Sequence, residues 1–260
     1  LASGWSPGYP ETTGYIIVTL LEAAPLLHRP SDLLRARRAA EWELQVQLAE
    51  GAWQAGFATD PPRPAVFNTG QVLQGLLAAH QAFGEAAFAA AAERGAAWLV
   101  RVQDADGAWR RHEYREAPHA YAARVAWPLA ELAARAGDRR VRQAAVRNLD
   151  WTLAQQEPDG WFRHCGFGAG EPPFTHTLAY TLEGLLEAAV VLQEERYLAA
   201  CRRGADALLL AFERRRRLAG TYGPGWTGDY RYACLTGGAQ LGRTWGRLFE
   251  LTGDARYLNA

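Results

Sequence analysis

The sequence lacks lysine and methionine altogether, and it has only three cysteines, Cys165, Cys201 and Cys234, among 260 residues. All 28 basic residues are therefore arginine, and they balance 28 acidic residues to a formal net charge of zero. This balance gives no indication of nucleic-acid binding, which is typical of basic chains. An odd number of cysteines in a chain of this length predicts free thiols and a reducing compartment, the cytoplasm.

Long apolar runs are also missing. No stretch approaches the roughly 18 consecutive apolar residues that a membrane-spanning helix needs, so we expect no membrane span. The apolar content of 49% is ordinary for a globular protein, and the length is sufficient for one large core. We therefore expect residues 1–260 to form a single domain.

The sequence contains a segment that recurs three times, at spacings of 56 and then 53 residues. Each occurrence begins with a tryptophan, has a glutamine at its sixth position, and contains a glycine shortly before the second tryptophan that ends it. The three occurrences are Trp42–Trp53, Trp98–Trp109 and Trp151–Trp161. A fixed period of this length indicates a repeat architecture, in which each unit buries its apolar face only by stacking on its neighbours.

Each repeat is predicted to be a pair of helices, because apolar residues recur at helical spacing on both sides of a short turn. The first helices of the pairs contain mostly glycine, alanine and leucine, and the second helices carry most of the arginine and glutamate. These compositions predict an all-α toroid, with an inner ring of helices surrounded by an outer ring. The predicted helices lie near 12–24, 32–47, 68–82, 85–103, 119–136, 139–156, 175–193 and 195–216, and a fifth pair begins near Thr236. Four to five hairpins are fewer than the six or so of most closed α/α rings, so we expect an incomplete α/α barrel that lacks its last hairpin or hairpins.

The repeated segment resembles the QW motif of the squalene and oxidosqualene cyclases. In that family the motif is structural, since its glutamine and tryptophan tie the end of an outer helix to a neighbouring helix. The resemblance implies this role for Gln47, Trp53, Gln103, Trp109, Gln156 and Trp161.

The catalytic residues of those cyclases have no counterpart here. The aspartate-rich motif that protonates the substrate is absent, and Asp104-Ala105-Asp106 lies in a turn. The zinc ligands of the related prenyltransferases and lanthionine cyclases are also missing, so we expect no metal and no cofactor. Fold-level similarity extends to six-hairpin glycosidases, sugar epimerases and uronate lyases.

The connections between helices are strongly unequal. Turns from an inner to an outer helix are short, whereas the returns over 48–68, 104–119, 157–175 and 217–236 are long. All long connections must then lie at one end of the toroid, where binding and catalytic residues are usually found. They are rich in aromatic residues, histidine and arginine, a composition that suits sugar rings.

The candidate residues come from these connections, from the N-terminal stretch and from the adjacent helix starts. His119 or His176 is the predicted base, and Tyr114 or Tyr230 the predicted acid. Arg124 or Arg231 is expected to bind a substrate carboxylate. Glu11 paired with Glu113 or Asp229 would instead support hydrolysis. The remaining candidates for substrate binding are Trp5, Tyr9, Phe67, His112, His164 and Trp226.

Three functions remain open from the sequence. The first is an enzyme that acts on a polysaccharide, a uronic acid or an amino sugar, with a lyase or epimerase favoured over a hydrolase. The second is a non-catalytic toroid that binds a glycan or a protein, and the third is a relative of the terpenoid cyclases that acts on an isoprenoid. A carbohydrate is the expected partner in the first, and the oligomeric state is left open.

Overall fold

A computed structural model describes Gly4 and residues 6–259, which fold almost entirely into helices. No helix in this part of the chain combines the length and apolar character needed to cross a lipid bilayer. Two short strands form an antiparallel hairpin in the last long connection. The main elements are α1 (Pro10–Leu26), α2 (Ser31–Val46), α3 (Val66–Phe83), α4 (Ala86–Val102), α5 (Ala123–Ala136), α6 (Arg139–Leu153), α7 (Thr175–Leu192), α8 (Glu195–Arg215), β1 (Thr221–Gly223), β2 (Thr227–Asp229) and α9 (Leu235–Thr252).

The odd-numbered helices form the inner ring. Helix α1 packs against α3, α3 against α5, α5 against α7, and α7 against α9, while each even-numbered helix packs on the inner helix that precedes it. Inner helices such as α3 and α7 are buried along most of their length, whereas α2 buries only Asp32, Ala36, Ala40 and Glu43 on one face. This difference confirms the predicted α/α toroid. Helix α5 begins at Ala123, later than predicted, because residues 120–122 form a 3-10 turn.

Each of the three repeats has a glutamine just after the end of its outer helix. Its side-chain amide nitrogen donates to the carbonyl four residues later and to a carbonyl of the next outer helix. The acceptor pairs are Gly51 and Ala91 for Gln47 (2.8 and 2.9 Å), Gly107 and Ala144 for Gln103 (2.9 and 2.9 Å), and Gly160 and Ala200 for Gln156 (3.2 and 2.8 Å). The structural role implied for these glutamines is therefore confirmed.

A glycine is required in each of these turns. Gly51, Gly107 and Gly160 have φ angles of 101°, 92° and 89°, in the region that side chains disfavour. A Cβ atom on any of them would also lie within 2.7 Å of a backbone oxygen of the next outer helix. The turn can therefore approach the neighbouring repeat this closely only if the glycine position has no side chain.

The tryptophans follow the prediction in two repeats but not in the third. Trp53 and Trp109 are buried, and their Nε1 atoms donate to the carbonyls of Glu43 and Leu99 at 3.0 Å. In the third repeat the residue six positions after the glutamine is Phe162, which is fully buried in the same place. The role implied for Trp161 is therefore wrong, because Trp161 stands one position earlier, where the first two repeats have Ala52 and Ala108.

Glu43 is a buried carboxyl group, and neither of its oxygens has a hydrogen-bond partner within the described ranges, Gly4 and 6–259. It stands four residues before Gln47, and the equivalent position before Gln103 is Leu99. Burial raises the pKa of Glu43 well above its ordinary value, because the charged form is poorly solvated in this position. The carboxyl group is therefore a local cost to stability in an otherwise apolar layer.

Replacing Gln47 by leucine should lower the free energy of unfolding by about 1–3 kcal/mol, because two backbone oxygens lose a donor. Urea denaturation measures the change. Gln45→Leu on the same helix is the matched control, since this side chain is exposed and should contribute less than about 0.5 kcal/mol. Equal losses in the two variants would contradict the bridging role.

Replacing Glu43 by leucine should raise the free energy of unfolding near pH 7 by about 1–3 kcal/mol, because an unpaired buried carboxyl is removed. The folded-state pKa is raised, so this carboxyl favours folding most below its unfolded pKa of about 4.3 and loses that contribution as pH rises. The advantage of the variant should therefore shrink at about pH 4. An advantage that is the same at both pH values would exclude titration of Glu43 as the cause.

Candidate active site

One cavity of about 710 Å³ opens at the end of the toroid where the long connections lie. We call it the main cavity. Its walls come from the starts of α1, α3 and α7, from the 3-10 turn before α5, and from three of the long connections. The predicted gathering of these connections at one rim is the reason that the cavity exists. Seven of the candidate residues line it: Tyr9, Glu11, Phe67, His112, Glu113, Tyr114 and His176.

His176, near the start of α7, is held by one defined contact. Its Nδ1 atom lies 2.8 Å from Oε1 of Gln240, which reaches across from α9. Because an amide oxygen only accepts, Nδ1 carries the proton and Nε2 is left with a free lone pair. Burial lowers the pKa of His176, and the nearby charge of Arg124 lowers it further. His176 is therefore a neutral imidazole at pH 7, in the form that can accept a proton.

Glu113 lies in the second long connection and is almost completely buried in the wall of the main cavity. Its Oε2 atom accepts a 3.3 Å hydrogen bond from the backbone N–H of Tyr114, and Oε1 has no partner among the described residues. Burial raises the pKa of Glu113 to about 8, and the negative charge of Glu11 contributes to the rise. At pH 7 Glu113 is therefore mostly a neutral acid that can donate a proton.

Glu11 lies in the first turn of α1, directly after Pro10, where the positive end of the helix dipole favours a carboxylate. Its Oε1 atom accepts a 3.0 Å hydrogen bond from the hydroxyl group of Tyr15, which in turn accepts one from Tyr180 at 2.8 Å. Burial raises the pKa of Glu11, while the Tyr15 hydrogen bond and the charge of Arg124 oppose the rise. Glu11 and Glu113 therefore line the main cavity in different electrostatic surroundings.

Arg124 is buried beneath the main cavity and is fully occupied by the protein itself. It forms an ion pair with Glu183, and its Nε donates to Gln71 at 3.0 Å. Its guanidinium group also lies over the rings of Tyr180 and Tyr15, at 4.7 and 5.3 Å. Arg124 therefore supports the tyrosines of the site from below rather than extending into the cavity.

His119 is likewise enclosed. Its ring stacks on Tyr121 at 4.5 Å, and its two nitrogens lie 3.1 and 2.9 Å from the carbonyl oxygens of Gly166 and Tyr114. Burial lowers the pKa of His119. Because both nitrogens have protein partners, this histidine fixes the positions of two connections and has no free atom for a substrate.

His112 and His164 occupy equivalent positions in successive repeats. Each has a positive φ angle, and each accepts a hydrogen bond through its carbonyl oxygen from the backbone N–H of Val66 or Ala120, at the start of the preceding inner element. Their rings lie near the first tryptophan of their own repeat, at 5.3 and 6.0 Å. The backbone geometry of the repeat therefore accounts for the positions of both histidines, although His112 also lines the main cavity.

Four candidates near the β-hairpin do not line the main cavity. Asp229 and Arg231 pair with each other at 2.7 Å, and this pairing lowers the pKa of Asp229 to about 2. Tyr230 lies under Arg215 and Arg217, and Trp226 donates to a backbone carbonyl of the third connection. Asp229 is therefore permanently ionised and paired away from the other acids. Trp5 lies outside the described residues.

Aromatic rings line much of the cavity, and Tyr121, Phe167 and Tyr180 among them were not candidates from the sequence. Phe67 contacts both Tyr121 and Tyr180 with ring centroids 5.4 Å apart, and Phe167 lies 6.1 Å from Tyr121. Tyr180 could have been found, because it follows His176 by four residues and so shares its helix face. Gln240 carries no such signal, since α9 meets α7 only in the folded chain. Within the described part of the chain, no group of three or more histidine, cysteine, aspartate or glutamate side chains is arranged to hold a metal ion.

Comparisons with known structures agree with this architecture. Cellobiose 2-epimerase from Spirochaeta thermophila is 15% identical, with a TM-score of 0.76 over 98% of this chain and 72% of that one. Unsaturated glucuronyl hydrolase from Bacillus sp. GL1 is 19% identical (TM-score 0.67; 93% and 74% covered), and a Bacteroides thetaiotaomicron α-mannanase is 13% identical (TM-score 0.68; 96% and 72% covered). At these identities the similarity shows a shared fold.

No curated protein matches the sequence. The family model of the squalene-hopene cyclase C-terminal domain matches residues 10–189, which is more than half of the chain and includes all three bridging glutamines. The chain therefore belongs to the squalene-hopene cyclase C-terminal domain family.

Proposed function

We propose that this protein is an enzyme that acts on a carbohydrate by proton transfer, as an epimerase or a lyase does. The observation that carries the proposal is that a neutral base, His176, and a neutral acid, Glu113, line the same cavity. Acid–base catalysts typically have surroundings that shift the pKa of each group, so that the group holds the required protonation state near pH 7.

The chemistry follows from these two states. Nε2 of His176 takes a proton from the carbon beside a sugar carbonyl, and Glu113 gives its proton to the carbonyl oxygen, which leaves a neutral enediol. In either outcome the enediol hydroxyl returns its proton to Glu113 as the carbonyl re-forms. If the enediol turns over and protonated His176 gives its proton to the opposite face of the carbon, the product is an epimer. If His176 instead protonates an oxygen substituent that leaves from the next carbon, the product is that of a lyase. The aromatic walls formed by Phe67, Tyr121 and Phe167 suit the apolar faces of a sugar.

The composition of the cavity supports a sugar over an isoprenoid. Arg63, Asn68 and Glu116 lie on its walls beside the two catalytic candidates, and an isoprenoid offers such groups no hydrogen bonds. The similar structures named above include a sugar epimerase, a glucuronyl hydrolase and a mannanase, and these names add support at the level of the substrate class. A toroid that only binds glycans does not need an acid and a base with shifted pKa values in one cavity.

Hydrolysis is the second candidate, and the pair of glutamates favours it. Glu113 is neutral, and although burial raises the pKa of Glu11, the Tyr15 hydrogen bond and the Arg124 charge oppose that rise. Glu113 would then protonate the leaving oxygen, and Glu11 would activate a water molecule. Proton exchange at carbon separates the two reactions, because only the first breaks a C–H bond.

The variants Glu113→Gln and His176→Asn should each lower kcat by a factor of about 10²–10⁴ on a sugar substrate of the wild type, because each removes one proton-transfer group. NMR in D₂O measures both turnover and deuterium incorporation beside the carbonyl. Asp229→Asn is the control and should retain wild-type activity. Release of reducing ends without deuterium incorporation, lost in Glu11→Gln and kept in His176→Asn, would instead establish hydrolysis.

Direct titration of Glu113 should give a pKa near 8, measured by ¹³C NMR of labelled glutamate carboxyls and assigned with Glu113→Gln. Activity should therefore fall as the pH rises through this value and the acid loses its proton. The raised folded-state pKa also means that wild type should lose stability relative to Glu113→Gln between about pH 4.3 and pH 8. A carboxyl that titrates below about pH 5.5 would contradict the role of Glu113 as the acid.

A further inference from the structure

A second cavity of about 380 Å³ lies beside the main cavity at the same rim. We call it the side cavity. It is lined largely by the third long connection, including Trp161, Pro172 and Pro173, and by Pro118 and Pro224 from neighbouring segments. Its volume falls in the range of small-ligand pockets, and none of the catalytic roles proposed above uses it.

Trp161 is in the side cavity because of a change within the repeat. The equivalent residues of the first two repeats are Ala52 and Ala108, which are buried in the turn. Phe162 performs the packing role that Trp53 and Trp109 perform in their repeats. The indole of Trp161 is therefore an addition to the repeat that the fold does not require.

The orientation of this indole is fixed. Its Nε1 atom donates a 2.9 Å hydrogen bond to the carbonyl oxygen of Tyr222 in strand β1, and the ring remains partly exposed. A flat apolar ring that is held in place at a cavity wall loses little conformational freedom when a ligand stacks on it. This arrangement is therefore suited to contact with a planar or ring-shaped ligand.

The two cavities share a wall. Phe167 of the third connection lines the main cavity, while its neighbours Gly166 and Gly168 line the side cavity. His119 lines the side cavity and stacks on Tyr121, which lines the main cavity. A chain-like ligand that leaves the main cavity over this wall would meet Trp161 next.

The charges around the side cavity are internally compensated. Glu171 pairs with Arg115 at 2.7 Å, and Arg163 pairs with Glu157 at 3.3 Å. Such a wall offers no free cation for a phosphate or a sulfate, but its tryptophan and prolines present apolar surface to C–H groups. The complementary ligand is therefore an uncharged sugar ring.

We propose that the side cavity is a second sugar subsite, in which Trp161 stacks against an uncharged hexose unit of an oligosaccharide whose end occupies the main cavity. The proposal rests on the proposed function, because it assigns the main cavity to a sugar. It also deepens that function, since it makes the substrate an oligosaccharide or a polysaccharide rather than a free monosaccharide.

Isothermal titration calorimetry with gluco- and manno-oligosaccharides of one to six units tests this proposal. For wild type, affinity should increase with length by roughly tenfold once the chain reaches Trp161. Trp161→Ala, which restores the residue of the other two repeats, should lose this increment and keep the affinity for the shortest ligand. Trp226→Ala, on the same rim but lining neither cavity, should keep both.

The outcomes separate this subsite from the catalytic proposal. A length increment that is unchanged in Trp161→Ala, or lost equally in Trp226→Ala, would overturn the subsite while leaving the acid–base site intact. An increment that depends on Trp161 in a protein without catalytic activity on these sugars would support the subsite and overturn the proposed reaction. Failure of every oligosaccharide to bind would overturn both. Thermal unfolding of each variant verifies that the fold is retained.

Discussion

The bridge that each outer-helix glutamine forms between two backbone carbonyls is the interaction on which the rest of this structure depends. A helix end leaves carbonyl groups without partners, and here one side-chain amide satisfies the turn after the helix together with the next outer helix. The bridge fixes both the spacing and the direction of successive hairpins. It also requires a glycine in the turn, because any side chain there would separate the repeats.

This repeated contact has a chemical consequence at one rim. Hairpins stacked in the same direction return all their long connections to the same end, where these segments bury side chains that a surface loop would leave in water. Glu113 owes its raised pKa to that burial, and burial also lowers the pKa of His176, while the Gln240 side chain holds its Nδ1 atom. The protonation states of Glu113 and His176 therefore come from packing between distant segments rather than from a local motif.

Differences between the repeats separate structural residues from candidates for function. His112 and His164 lie at equivalent positions with equivalent contacts, so the repeat accounts for them. Trp161 stands where the first two repeats have alanine, and Glu43 stands where the second repeat has Leu99 and the third has Thr152. Comparison within one chain thus identifies positions where the sequence departs from what the fold requires.

The sequence alone determined the toroid, the inner and outer rings and the bridging glutamines, because these depend on periodic spacing and on contacts that every repeat makes in the same way. It also indicated the rim, since connection lengths can be read directly from the chain. Only the tertiary structure decided which candidates meet: Glu11 and His176 share the cavity, whereas His119 is enclosed and Asp229 is paired elsewhere. The reason is physical, because the pKa of a side chain and its access to a ligand are set by neighbours from distant repeats, such as Gln240 beside His176, and residue spacing along the chain carries no information about them.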